Sequence, residues 1–509
     1  MHRVRGIIGE VDCVRPFNNS LLPGRHAIRL SSHAVYIGNT IGLDARHLSR
    51  TGHARRANML MKQLLGIALA ILLAINTSLA VDATLLGKRL TPLGGEVAGN
   101  ATGTIPAWSG GITRPPPGYE GSGTRHVDPY AADKPLFTIT HANMQHYRTH
   151  LTPGQVAMFE TYPDSYQMPV YTTRRSGSAP QWVYDNTRRN AEKARLIGGG
   201  NGFVDAYGGI PFPLPEKGIQ AVWNHIARYR GHYVVRRTSE VAIQRDGSFK
   251  LNTSRQEVLF RFYDPAGSFA SLDNVLFYYL SFIQCPTRMA GSAVLVHETL
   301  DQVQEPRQAW AYSAAQRRVR RAPSLAYDMP IPASEGLRTA DDTDMFNGSP
   351  DRYEWRLLGK REIYIPYNNY RISSPSISYR KLLQVGHLNP AYTRHELHRV
   401  WVVEGTLKPT ARHVYSRRTL YLDEDSWQAA IVDQYDGRGQ LWRVSMAYLK
   451  NYYELPTTWS ALDVFHDLQA RRYHVQNLDN QEPGTSDFSQ PAPGMNAFKP
   501  DALRRRGIR

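Results

Sequence analysis

Over residues 398–449 apolar side chains recur at every second position. Trp401, Val403 and Leu407 share one parity of HRVWVVEGTL, and Trp442, Val444, Met446 and Tyr448 share one parity of LWRVSMAYL. That period belongs to half-buried strands, whose successive side chains point to opposite faces. The interruptions carry turn chemistry: Asp423-Glu424-Asp425-Ser426 breaks the middle, and Asp436-Gly437-Arg438-Gly439 supplies residues that accept the positive φ of a tight hairpin. The stretch predicts an antiparallel meander with one apolar face.

The pattern extends upstream. YVVRRTSEVAIQ and SFKLNTSRQEVLFRFY flank Asp246-Gly247, a strong hairpin signal. VLFYYLSFIQC, residues 275–285, is too short to span a bilayer and reads as a buried strand or helix. AVLVHETL, RQAWAY and RRVRRA continue in strand-sized pieces, residues 323–350 form a polar loop, and YEWRLLGKREIYIPY leads into the meander. Ahead of this sheet the period changes to that of helices. One helix is capped by Thr140, and one starts at the capping box Thr152-Pro153-Gly154-Gln155. A third runs over residues 183–197 to the stop at Gly198. The fourth, residues 216–229, carries Ile219, Val222, Trp223, Ile226 and Tyr229 on one stripe. These helices are expected to cover the sheet.

The expected organisation is therefore α+β. Residues 81–230 hold an arm and the helical cover, residues 231–478 the antiparallel sheet, and residues 479–509 a loose tail. The arm, to about residue 134, is crowded with Gly and Pro. It is either an extended segment anchored by Trp108 and Tyr119 or a flexible linker.

Charge changes the picture at one end. The chain carries 61 Lys and Arg against 44 Asp and Glu, a formal +17. Residues 1–80 contribute ten basic and three acidic residues, so the remainder has an excess of only ten. Met59-Leu60-Met61-Lys62-Gln63, the apolar run LLGIALAILLAI and Ser78-Leu79-Ala80 form the three parts of a secretory signal, cleaved after Ala80. Residues 1–58 precede a segment that normally begins a chain, and an early start assignment explains them. Export to the periplasm excludes nucleic acid as a partner. With Cys13 ahead of the leader, Cys285 stands alone, expected as a small core residue unable to form an intramolecular disulfide.

No fragment completes a catalytic, metal or cofactor motif. His395-Glu396-Leu397-His398 is one residue short of H-E-x-x-H and enters a strand, His297-Glu298 lacks a second histidine, and Gly198 to Gly202 lack the Lys-Ser/Thr of a P-loop. Asp341, Asp342 and Asp344 read as a solvated acidic loop. An unpaired carboxylate set leaves an envelope hydrolase as the competing class. Arg317-Arg318-Val319-Arg320-Arg321 puts guanidinium groups on both faces of a strand, either as protection of an exposed edge or as a rim for anionic head groups.

LGKRLTPLGGEVAGNATGTIPAWSGGI, AYGGIPFPLP, LVHETLDQVQEPRQAWAY, QRRVRRAP, HRVWVVEGTL, LYLDEDSW and YDGRGQLWRVS closely resemble the proteobacterial DUF1329 family, often labelled outer-membrane lipoprotein-sorting proteins. The resemblance implies a fold similar to LolA and LolB: a strongly curved antiparallel sheet, or half-barrel, closed by helices over an apolar concave face. It also implies transport of hydrophobic molecules in the envelope, with an RND-type exporter and outer-membrane components as partners. Under that reading a non-enzymatic carrier holds a hydrophobic or amphiphilic ligand. Arg317, Arg318, Arg320 and Arg321 form the rim, and Trp401, Tyr421 and Trp442 belong to the framing sheet.

Overall fold

The computed structural model describes residues 82–322 and 327–507, so the leader and residues 1–58 lie outside the described residues. Seventeen strands follow in chain order: β1 (Phe137–Ile139), β2 (Met168–Val170), β3 (Arg195–Ile197), β4 (Gly202–Val204), β5 (Tyr233–Ile243), β6 (Asn252–Phe260), β7 (Val275–Cys285), β8 (Ala293–Thr299), β9 (Gln308–Ser313) and β10 (Arg318–Arg321), then β11 (Tyr353–Pro366), β12 (His395–Leu407), β13 (Arg417–Asp423), β14 (Ala429–Tyr435), β15 (Leu441–Tyr452), β16 (Thr457–Asp467) and β17 (Arg472–Leu478). Helices α1 (Pro153–Thr161), α2 (Gln181–Lys193), α3 (Gly218–Ala227), α4 (Tyr379–Leu382) and α5 (Pro500–Gly507) are peripheral to them.

Two antiparallel meanders, β5 to β10 and β11 to β17, join into one sheet where β17 pairs with β5, placing Val475 opposite Val241. Strands β10 and β11 therefore end the long run at opposite sides. The β1–β2 hairpin adds at the start of β12 through one parallel pair, His395 with Val170. The Asp246-Gly247 turn forms as the sequence predicts, with Gly247 at φ +81° where a side chain would be strained.

The register assigns two faces. On the first lie Val402, Tyr421, Ile431 and Met446, cross-strand partners in succession. On the second lie Val403, Leu420, Val432 and Ser445. The two apolar stripes of the meander thus fall on opposite faces, because Met446 stands opposite Ile431 rather than Val432. Both faces are covered: every residue of β14 and β16 is buried. The single apolar face expected from alternation is corrected accordingly.

Helix α1 closes the first face over β14 and β15. Its Thr152 capping box forms as predicted, with Gln155 N donating to Thr152 Oγ1 at 3.1 Å and Thr152 N donating to Gln155 Oε1 at 2.9 Å. The second face of the same strands is filled by the loop after residue 336, and here the solvated acidic loop is overturned. Asp341 and Asp342 are 2% and 0% exposed. Arg418 Nη2 lies 2.9 Å from Asp341 Oδ2, Gln434 Nε2 donates to Asp342 Oδ1 at 2.8 Å, and Asp344 is gripped by Arg228 at 2.6 Å and by Arg230. Burial opposes ionisation of Asp344, but the two guanidinium groups hold its carboxyl below the usual carboxylate range. Aspartates alone in sequence look solvated; Arg418 of β13 and Arg228 and Arg230 at the end of α3 make their burial tolerable.

The arm is docked. Trp108 Nε1 donates to the Gly177 carbonyl at 3.0 Å, and Arg175 donates to the Glu96 carbonyl at 2.7 Å and the Pro106 carbonyl at 3.3 Å. Three other expectations change. The third helix stops at Lys193, because residues 195–197 pair with β4 and Gly198–Gly200 turns between the two strands. Cys285 is exposed, since β7 runs past the covered part of the sheet. The loose tail is an ordered segment: Phe498 and Leu503, each 1% exposed, pack with Tyr278, Leu280, Phe282 and Leu295 on the first face of β7 and β8.

Candidate functional site

The seven residues read as a rim and its frame are not brought together. Trp401, Tyr421 and Trp442 sit on β12, β13 and β15, while Arg318, Arg320 and Arg321 belong to β10, with Arg317 just before it, at the far end of the strand order. Each aromatic has a packing partner. Trp401 stacks on Trp427 at 6.0 Å with 10° between planes, on the second face. Tyr421 lies on the first face and donates its hydroxyl to Asp433 Oδ2 at 3.2 Å. Burial pushes the Asp433 carboxyl up to about 7, against the hydrogen bonds from Gly154, Tyr421 and Thr152. Trp442, the extra residue of a bulge, donates Nε1 to Asp467 Oδ2 at 3.0 Å and lies under Arg443 at 4.0 Å. The aromatics and the arginines share one sheet but stand far apart in its strand order, which turn lengths set and periodicity does not report.

The arginines do form a coherent surface. Among the described residues β10 pairs with β9 alone, which makes it an edge, and Arg317, Arg318, Arg320 and Arg321 are exposed. None makes an ion pair among the described residues. Register splits them by face. Arg320 stands opposite Ala311, which is opposite Val294, which is opposite Ser281. Arg318 shares that second face. There the sheet is half-open: Tyr279, Ile283, Val294, Val296 and Ala311 are all of intermediate exposure, unlike the sealed β14 and β16. An apolar floor and a cationic border are thus adjacent on one side of β7 to β10.

On the other side of the same strand, Val319 and the α5 residues Asp501, Arg504 and Arg505 line a groove of about 460 Å³. The contribution of α5 was hidden in a segment whose arginines read as solvated. Its signal was the apolar set Phe498, Ala502 and Leu503 within an otherwise polar, basic segment, the first in the turn before α5 and the other two on the helix.

The H-E-x-H fragment forms a second charged cluster, in a different setting. Glu396 and His398 project from one face of β12, as i and i+2 must in a strand. His398 Nε2 is 3.2 Å from Glu396 Oε2, and its Nδ1 is 3.5 Å from Asp423 Oδ1. Burial alone would lower this imidazole; the hydrogen bonds and charges of Asp423 and Glu396 outweigh it and hold the pKa at about 9. Ligating atoms of His398, Asp423 and Asp425 lie within 4.8 Å of one another. Asp425, however, is taken bidentately by Arg175 at 2.7 and 2.9 Å, so the geometry suits an imidazolium between carboxylates. All of these side chains are 3% exposed or less, which leaves no path for a substrate.

The molecule is thus a large antiparallel sheet with covered faces, one half-open apolar stretch and a basic edge. The chain belongs to the family described as Protein of unknown function (DUF1329), whose model matches residues 138–504. An uncharacterized protein of Pseudomonas aeruginosa is 47% identical over 451 residues, 87% of this chain and 98% of that protein. Among solved structures, an outer membrane lipoprotein-sorting protein domain from Vibrio parahaemolyticus aligns with 57% of this chain and 98% of its own, at 17% identity and a TM-score of 0.39. A DUF1329 family protein from Desulfovibrio piger aligns with 54% of this chain and 92% of its own, at 14% identity and a TM-score of 0.37. A LolA superfamily protein from Nitrosomonas europaea covers 57% of this chain and all of its own, at 13% identity and a TM-score of 0.32. No helix among the described residues is long and apolar enough to cross a membrane.

Proposed function

We propose that this protein is a periplasmic carrier that holds an amphiphile at the β10 end of its sheet, with the anionic head on Arg318 and Arg320 and the apolar chain along Tyr279, Ile283, Val294 and Val296. The observation that carries the reading is the shared face: exposed guanidinium groups without carboxylate partners border the half-open apolar floor. Guanidinium groups bind phosphate or carboxylate oxygens in pairs and stay charged at every relevant pH. The leader read at residues 59–80 supports an envelope location. A strongly curved, half-barrel form of the sheet would deepen the floor, and an RND-type exporter or outer-membrane component would receive the cargo; both belong to the same proposal. The competing hydrolase reading is weakened because the best-paired His and carboxylate set, around His398, is sealed.

Mass spectrometry provides the test. Delipidated protein is mixed with envelope lipids, re-isolated and extracted. The carrier reading expects an anionic amphiphile in near-stoichiometric amount; recovery of no bound hydrophobic species contradicts it.

A further inference from the structure

A cleft of about 460 Å³ lies between the arm, the loop after β11, strand β15 and the segment after β17. Its walls include Arg125, Asp128, Arg371, Ser373, Lys450 and Asp479. We propose that this cleft binds a phosphate oxyanion, with Lys450 and Arg125 as the inner cations and Arg371 as the cation at its mouth.

Lys450 is the central observation. It is 1% exposed, and its ammonium makes no hydrogen bond or ion pair among the described residues; it lies 4.8 Å from the centre of the Tyr452 ring. A buried ammonium without a partner is costly, and lysine is almost never placed so without a counter-charge. Burial lowers its pKa, Arg125 acts in the same direction, and Asp479 and Glu454 oppose them. Four polar atoms of cleft residues are buried without hydrogen-bond partners: the donors Arg125 Nη1 and Ser373 Oγ, together with His126 Nδ1 and Asp479 Oδ1, the last of which faces Arg125. Arg371 at the mouth is exposed, lies 5.3 Å from the centre of the Tyr392 ring and makes no ion pair among the described residues.

The carboxylates near these cations are largely engaged elsewhere. Asp479 Oδ2 accepts from Thr485 at 2.8 Å, and Asp479 Oδ1 lies 3.6 Å from Arg125 Nη1, so it belongs to the arginine. Asp128 accepts from the Tyr130 backbone at 2.8 Å, and burial pushes its carboxyl up, toward the neutral form. Glu454, held by His126 of the cleft wall at 3.0 Å, is the third carboxylate nearby, so Arg125, Arg371 and Lys450 are balanced in formal charge only while Asp128 is ionised, and the choice of an anion rests on the unpartnered donors. Donors come from several sides of the cleft, and a tetrahedral oxyanion, whose oxygens point in more directions than the two coplanar oxygens of a carboxylate, meets them better. The volume accommodates a phosphate together with a small esterified group.

The test is titration of the purified protein with inorganic phosphate, followed by ³¹P line broadening and by calorimetry. Saturable 1:1 binding is expected. Arg371→Gln, an exposed change, should weaken it about tenfold, the size of one lost charged hydrogen bond. Lys450→Met should abolish it while leaving amphiphile binding at the β10 edge intact. Glycerol 3-phosphate binding more tightly than inorganic phosphate identifies a lipid head group as the source, whereas the reverse order identifies free phosphate. Acetate binding as well as phosphate overturns the oxyanion assignment. Absence of saturable binding, or Arg371→Gln binding like the wild type, shows that the cleft holds water only. Should Lys450→Met fail to fold, Arg371→Gln alone decides.

Discussion

His398 Nε2 stands 3.2 Å from Oε2 of Glu396, two residues back on the same strand, with Asp423 on the other side of the ring. In an unfolded chain a histidine keeps its proton only below about 6.5, whereas here it is held to about 9. The folded state binds the extra proton, so this contribution to stability is complete below about pH 6.5 and is lost as pH rises through 9. Urea unfolding between pH 6 and 10 should show that decline. In His398→Leu the slope should vanish, and stability at pH 6.5 should fall by about 3–5 kcal/mol, because two buried carboxylates lose their cation. A variant as stable as the wild type at pH 6.5 would show that the cluster is not ionised.

Gly154, inside α1, makes a prediction whose sign runs against helix propensity. Alanine is the better helix former by about 1 kcal/mol. A Cβ at this position, however, would lie 2.1 Å from Asp433 Oδ1 and 2.9 Å from Cβ of Val444. The helix approaches the sheet this closely only because the residue has no side chain. Gly154→Ala should therefore destabilise the protein by about 1–3 kcal/mol, read from its urea midpoint. A gain in stability would mean that α1 packs differently on β14 and β15.

Phe498 is stacked on Tyr278 with centroids 5.2 Å apart and 11° between planes, and it is 1% exposed. Phe498→Ala should cost about 3–5 kcal/mol. Calorimetry checks this, and an unchanged melting temperature would show that the C-terminal segment contributes nothing to the sheet.

The strands were legible in the sequence because their signals are local. The Asp246-Gly247 turn and the Thr152 capping box each contain all the atoms of their own motif, and both formed where they were read. What was illegible depended on partners far along the chain. The burial of Asp341 and Asp342 required Arg418 and Gln434, and the docking of the arm required Arg175. Likewise, Trp401 and Tyr421 look equivalent along the chain, yet the pairing of Trp401 with Leu422 and of Val402 with Tyr421 sends them to opposite faces. Of the candidate site, the basic strand and its edge-like composition could be read. Its half-open apolar neighbours could not, because their exposure depends on where the loop after residue 336 ends its cover.

The carrier proposal is tested most directly by replacing Arg317, Arg318, Arg320 and Arg321 with glutamine and measuring co-sedimentation with phosphatidylglycerol and phosphatidylcholine vesicles at low and high salt. Exposed charges without partners contribute little to folding, so the melting temperature should stay within a few degrees of the wild type. The wild type should bind the anionic vesicles, more strongly at low salt, and the variant should lose most of that binding, with the loss largest at low salt. If the variant binds anionic vesicles like the wild type and instead aggregates, the arginines protect an open sheet edge, and the carrier site is not at β10.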